Sequence, residues 1–254
     1  MRWLLPALCL LLFACAPKVQ PPPSLDLLPA SRLMEALIQQ KNAYNSLEAE
    51  VKLRLQAGEK RLAATQLLWV RKPASLRGEV LNPFGFGAPL LQFASDGETL
   101  SVFSPGRGQF YQGDASARNL MRFTRIPLQV EDLVRVLLLD VPLLPYGQMR
   151  SGSAQGQHLL SLEGAGQSRQ DFLFDEQLRL LSASYSLQDE VQLIVSYGDF
   201  GSRHPSFPGK AALSMPGFDT RVEMEFASIR IGAEIPESRF ALQAPPGTPV
   251  LPIP

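Results

Sequence analysis

The chain has 254 residues with 24 basic and 24 acidic side chains, 45% hydrophobic residues and 8% aromatics. That length suits one large domain or two small ones, and a chain of this size buries enough surface to need no covalent staple. Zero net charge removes the broad positive field of a nucleic-acid binder. Two Cys, at 9 and 15, and two His, at 158 and 204, leave the folded body no disulfide framework and little material for a metal centre.

Met1-Arg2 gives a short positive start, and Trp3 to Ala14 form an apolar run. As a helix that run rises only about 18 Å, short of a ~30 Å hydrocarbon core, so it reads as the apolar part of an export signal. Leu12-Phe13-Ala14-Cys15 resembles the bacterial lipobox, with Phe13 bulkier than the usual residue before the small one. That resemblance implies cleavage after residue 14 and lipid on Cys15, with Ala16 after the Cys favouring the outer membrane. A simple signal peptide cut elsewhere is the alternative. Residues 15–29, with Pro17 and Pro21-Pro22-Pro23, read as an extended tether.

Ser31 suits the N-cap of a helix reaching about Tyr44, with Leu33, Met34, Leu37, Ile38 and Tyr44 near one face. The period then changes to two. Leu47, Ala49, Val51, Leu53 and Leu55 alternate with Glu48, Glu50, Lys52, Arg54 and Gln56, which predicts a long half-buried strand. After a turn at 58–60, strands are expected at 61–71, 76–80, 89–95, 98–104 and 108–112. A short helix is expected near 114–121. Val130, Leu133, Val134, Leu137 and Leu138 then follow helical spacing until Pro142 stops the run. Strands resume at 157–163, 168–174, 178–187 and 190–197. In the last strand Val222, Met224 and Phe226 share a parity that Ile229 and Ile231 do not, which predicts a bulge near Ala227 or Ser228.

About ten antiparallel strands with one apolar face need a cover, and curling the sheet around a helical plug is the economical one. The expected fold is mainly β with some α: an incomplete antiparallel barrel whose helices plug or lid an apolar cavity. A transmembrane barrel alternates too, but the anchor-like start, the helical interruption and the Pro-rich end at 244–254 argue against it.

Leu81-Asn82-Pro83-Phe84-Gly85-Phe86-Gly87 is unusual for a hairpin connection. Phe84 and Phe86 have either of two uses: tucked beneath a neighbouring loop, or exposed as an apolar tip that touches a membrane or an acyl chain.

At this point the chain resembles the LolB-type lipoprotein receptors of the wider LolA, LolB and LppX-like group. The resemblance rests on the lipobox and spacer, the first helix, Asn82-Pro83-Phe84-Gly85, Ile126-Pro127-Leu128, Asp132-Leu133, a helix closing at Val141-Pro142, and Ile235-Pro236-Glu237-Ser238-Arg239-Phe240. It spans roughly 30–243 and departs from the group where Asp140 precedes Val141-Pro142 in place of a Gly. It implies a periplasm-facing, lipid-anchored monomer that receives lipoproteins from a periplasmic carrier and holds their acyl chains without a cofactor. It also implies that the loop bearing Phe84, Gly85 and Phe86 contacts the membrane. Candidate lining residues by parity are Val51, Leu53, Leu55, Val80, Leu91, Phe93, Val102, Val222, Met224 and Phe226, with Leu133, Val134, Leu137 and Leu138 on a lid helix.

No G-x-S-x-G, H-E-x-x-H, P-loop or G-x-G-x-x-G occurs, and the carboxylates at 48, 50, 223 and 225 sit on the solvated faces of strands, so the sequence points away from an enzyme. Two other readings share the fold: a carrier of free lipid or glycolipid of the LppX type, and a non-transporting assembly lipoprotein with a filled interior. A cavity with room for an acyl chain separates transport from assembly.

Overall fold

The computed structural model describes residues 26–84 and 89–253. Alternation becomes pairing first in β1 (Ser46–Ala57), whose Leu47, Ala49 and Val51 are buried. It pairs along its whole length with β2 (Lys60–Arg71), from Ser46 opposite Arg71 to Ala57 opposite Lys60. On its other side lies β13 (Thr220–Ile231). There Glu50 faces Ser228 and Val51 faces Phe226, so Ala227 is the extra residue of the expected bulge. The bulge lets Phe226 and Ile229, three positions apart, both serve the apolar side of the pair.

The remaining strands are β3 (Ser75–Leu81), β4 (Pro89–Ser95), β5 (Thr99–Ser104), β6 (Gln109–Asp114), β7 (Gln148–Ala154), β8 (Gln157–Glu163), β9 (Ser168–Phe174), β10 (Leu180–Leu187), β11 (Glu190–His204), β12 (Phe207–Met215) and β14 (Val250–Pro252). All belong to one sheet in the order β14-β6-β5-β4-β3-β2-β1-β13-β12-β11-β10-β9-β8-β7. The topology is two meanders joined by pairing the first strand of one, β1, with the last strand of the other, β13. Every junction is antiparallel except that of β14 with β6. Among the described residues the sheet is open: β14 and β7 are its edges and do not pair with each other. Only closed barrels and helices satisfy backbone groups in hydrocarbon, so an open sheet is not a membrane-spanning barrel.

Three helices cover the inner face. Between β6 and β7 the chain must pass from one meander to the other, and it does so across that face, carrying α2 (Ala117–Thr124) and α3 (Val130–Leu137). α3 packs on β2 and β3, while α1 (Ala30–Lys41) packs on β7 and β8. Their Leu33, Leu37, Leu120, Val134 and Leu137 join the core formed by the strands.

Helix boundaries differ from those expected. α1 begins at Ala30, with Pro29 in an extended conformation before it, and ends at Lys41. Tyr44 therefore lies beyond the helix, where its hydroxyl donates to the Ser206 carbonyl at 2.8 Å and its ring meets Phe207 edge-on at 5.3 Å. α2 starts later than expected because Ser116 is its N-cap, its Oγ accepting the Asn119 N–H at 3.3 Å.

Three strands were not expected: β14, which lies in the Pro-rich end and pairs with β6, together with β7 and β12. β7, Gln-Met-Arg-Ser-Gly-Ser-Ala, is an exposed edge strand, so no apolar period marks it. β12 opens with Phe207-Pro208-Gly209, a strand-breaking signature. Gly209 lies so close to the neighbouring strand that a Cβ would sit 2.9 Å from the Asp199 carbonyl oxygen and 2.2 Å from Ser202 Oγ, a space that suits Gly. The closing motif Ile235 to Phe240 folds over the outer face of β2, with Arg239 above the Trp69 ring at 4.9 Å and Arg71 above Phe240 at 5.0 Å.

Candidate functional site

Burial is graded along β1. Leu47, Ala49 and Val51 are buried, whereas Leu53, Leu55 and Ala57, on the same face, are only partly covered by protein. The inner side is therefore filled near the start of β1 and hollow near its end. The hollow is a cavity of about 970 Å³, at the upper end of the roughly 300–1,000 Å³ range of ligand pockets.

Its walls come from β1, β2, β3, β4, β12, β13, α3, the end of α2 and the residues just after it. Of the residues expected from parity, Leu53, Leu55, Val80, Leu91, Phe93, Val222 and Met224 border it, as do Leu133 and Leu137 of α3. Val51, Val102 and Phe226 lie in the packed core and do not border it, and neither do Val134 and Leu138. Parity gives the face of a strand but not the depth along it. Leu62, Ala64, Gln66 and Leu68 of β2 form a wall that sequence reasoning missed. Around Leu67-Leu68-Trp69-Val70 both faces of β2 are apolar, because the 235–240 segment covers the outer one.

α3 is a fixed wall. Tyr197 donates its hydroxyl to the Val136 carbonyl at 2.7 Å, and Tyr185 donates to the Pro142 carbonyl at 2.6 Å. Gln170 makes a reciprocal pair with the Leu144 backbone, at 2.8 and 3.0 Å. Burial pushes both phenols above the ordinary tyrosine range, so each remains a donor at neutral pH. Beyond the helix, buried Asp140 lies 2.9 Å from Lys72 Nζ and 3.6 Å from Arg135 Nη2. Burial also raises the Asp132 carboxyl on the first turn of α3.

The mouth of the cavity is chemically different from its walls. Glu59, Lys60, Arg61 and Arg125 stand there with Leu62 and Leu90. Among the described residues, none of these three bases forms an ion pair with an acid. At the same end, Phe84 is 96% exposed, held in a turn by its backbone N–H donating to Asn82 Oδ1 at 3.0 Å. It is not tucked beneath a neighbouring loop. Gly85, Phe86 and Cys15 lie outside the described residues.

The arrangement suits binding of a long apolar chain. Removing methylenes from water is worth about 0.8 kcal/mol each, so a dozen contribute about 10 kcal/mol. Of the two histidines, His158 is buried at the start of β8 and His204 ends β11; neither reaches the cavity. Among the described residues no group of three or more His, Cys, Asp or Glu is placed to hold a metal ion.

No family model matches the sequence, and no curated protein matches it. Solved structures do match in fold. A DUF1329 family protein from Desulfovibrio piger is 12% identical with a TM-score of 0.55, over 84% of this chain and 97% of that one. A domain from Vibrio parahaemolyticus named for outer membrane lipoprotein sorting is 11% identical with a TM-score of 0.54, over 83% and 97%. A LolA superfamily protein from Nitrosomonas europaea is 14% identical with a TM-score of 0.53, over 85% and 98%. The chain has the open, helix-filled half-barrel fold of this group.

Proposed function

We propose that this chain is a LolB-type receptor, anchored in the outer membrane through lipid on Cys15 and facing the periplasm. It receives lipoproteins from a periplasmic carrier, shelters their acyl chains in the cavity and helps insert them into the membrane. In this reading residues 1–14 are the signal, 15–29 the tether and 30–243 the binding domain. The observation that carries it is the unfilled apolar hollow of about 970 Å³ in a fold shared with the LolA superfamily. A non-transporting assembly role has no use for that space. Leu53, Leu55, Val80, Leu91, Phe93, Leu133, Leu137, Val222 and Met224 then form the acyl-chain site, and the exposed Phe84 ring is the membrane contact. A ring of this size buries a large apolar area without desolvating a charge.

Native mass spectrometry of gently purified protein tests the reading directly. Bound lipoprotein fragments carrying acyl chains are expected. Recovery of free lipid or glycolipid only would favour the LppX-type carrier. An empty protein that also ignores a fluorescent fatty acid would refute acyl binding altogether.

A further inference from the structure

The strands that wall the cavity reach its mouth at one end of the sheet, where exposed apolar side chains stand among the charged Glu59, Lys60, Arg61 and Arg125. β3 and β4 meet there through the connection holding Phe84, and Leu90, the second residue of β4, is 49% exposed. Leu62, 53% exposed, lies beside the β1–β2 turn, opposite Leu55. The next connection, between β12 and β13, carries Phe218 at 59% exposure. It is fastened to the β1–β2 turn by the Gly58 N–H, which donates to the Asp219 carbonyl at 2.9 Å. Phe218 is not part of the core and, like Phe84, stands exposed in the connection between two strands.

We propose that the protein seats on a lipid bilayer at two points, Phe84 and Phe218, with the cavity mouth between them turned toward the membrane. The inference rests on the acyl-binding reading and adds a second contact and an orientation to it. Bilayer chemistry fits the whole end: two aromatic tips and two leucines for the acyl boundary, and Lys60, Arg61 and Arg125 for anionic headgroups. An acyl chain leaving the cavity between the tips meets hydrocarbon instead of water.

The test places a tryptophan at each point in the full chain and mixes it with vesicles of equal parts phosphatidylethanolamine and phosphatidylglycerol carrying brominated acyl chains. The wild-type emission of Trp69, the tryptophan that lies beyond the signal segment, is the background. Phe84→Trp and Phe218→Trp should both lose emission to the bromine quencher. Ile38→Trp, 47% exposed on α1 at the opposite end, should keep its emission. Quenching at 84 without 218 overturns the second contact while leaving membrane contact by the first loop. Quenching at none of the three overturns the membrane contact of the proposed function as well, and quenching at all three overturns the orientation. Leu62→Trp carries the same expectation as Phe218→Trp and decides the matter should the latter fail to fold, as judged by its thermal midpoint.

Discussion

Phe84 is exposed to water on nearly every side, so its ring contributes almost nothing to folding. Phe84→Glu is expected to impair delivery of lipoproteins to membrane vesicles while leaving the thermal midpoint within a degree or two of wild type; a large drop in midpoint would show that the ring is buried. Gly78 illustrates the opposite constraint. A Cβ there would lie 2.1 Å from Cζ of Phe93, so the Phe93 ring lies against the bare backbone of β3. Gly78→Ala should cost about 1–3 kcal/mol in urea unfolding, the usual range for overpacking, and should displace the ring toward the cavity that it walls. Asp96 is a third case: the backbone N–H of Thr99, with that of Glu98, holds its carboxyl below the usual carboxylate value. A depressed acid contributes stability that is present above its unfolded value and lost as pH falls through the folded one. Asp96→Asn keeps an oxygen acceptor without the titration, so its acid-unfolding curve should be flatter below about pH 4.

At the scale of elements, α3 depends on two tyrosines from strands far along the chain. Tyr197→Phe leaves the Val136 carbonyl without its phenol partner and should cost about 1–3 kcal/mol. Both phenols are raised by burial, so their contribution is complete below the ordinary value of about 10 and is lost as pH climbs above it. Alkaline unfolding should therefore be steeper in the wild type than in the Tyr185→Phe, Tyr197→Phe double variant, as followed by circular dichroism. Where periodicity is clean, the sequence reveals such elements. The stripe of Val130, Leu133, Val134 and Leu137 locates α3, and the parity change after Phe226 locates the bulge at Ala227. β7 escapes because an exposed edge strand has no face to bury, and β12 because Pro208 and Gly209 resemble a turn. The ties to α3 escape for another reason: Tyr185 and Tyr197 are ordinary strand residues until the meander returns them beneath the helix.

For the whole molecule, the decisive fact is that one inner face is packed at one end and hollow at the other. Two meanders joined through β1 and β13 make a sheet too wide to be filled by three short helices, and α1 and α3 occupy only part of it. Sequence parity identifies the face but cannot distinguish these ends, which is why Val51 and Leu55 look equivalent until the fold is known. The difference yields a paired prediction on a single strand. Leu55→Trp enlarges a side chain that borders open space, so stability should stay within about 1 kcal/mol of wild type. The same substitution should weaken binding of a fluorescent fatty acid about tenfold or more, since the indole occupies volume that the chain needs. Val51→Trp forces the same ring into the filled end, where Val51 is completely buried, and should cost about 3 kcal/mol or more in unfolding. Equal destabilisation by the two variants, measured in urea alongside the fatty-acid titration, would mean that the end near Leu55 is as tightly packed as the end near Val51, leaving no site for an acyl chain.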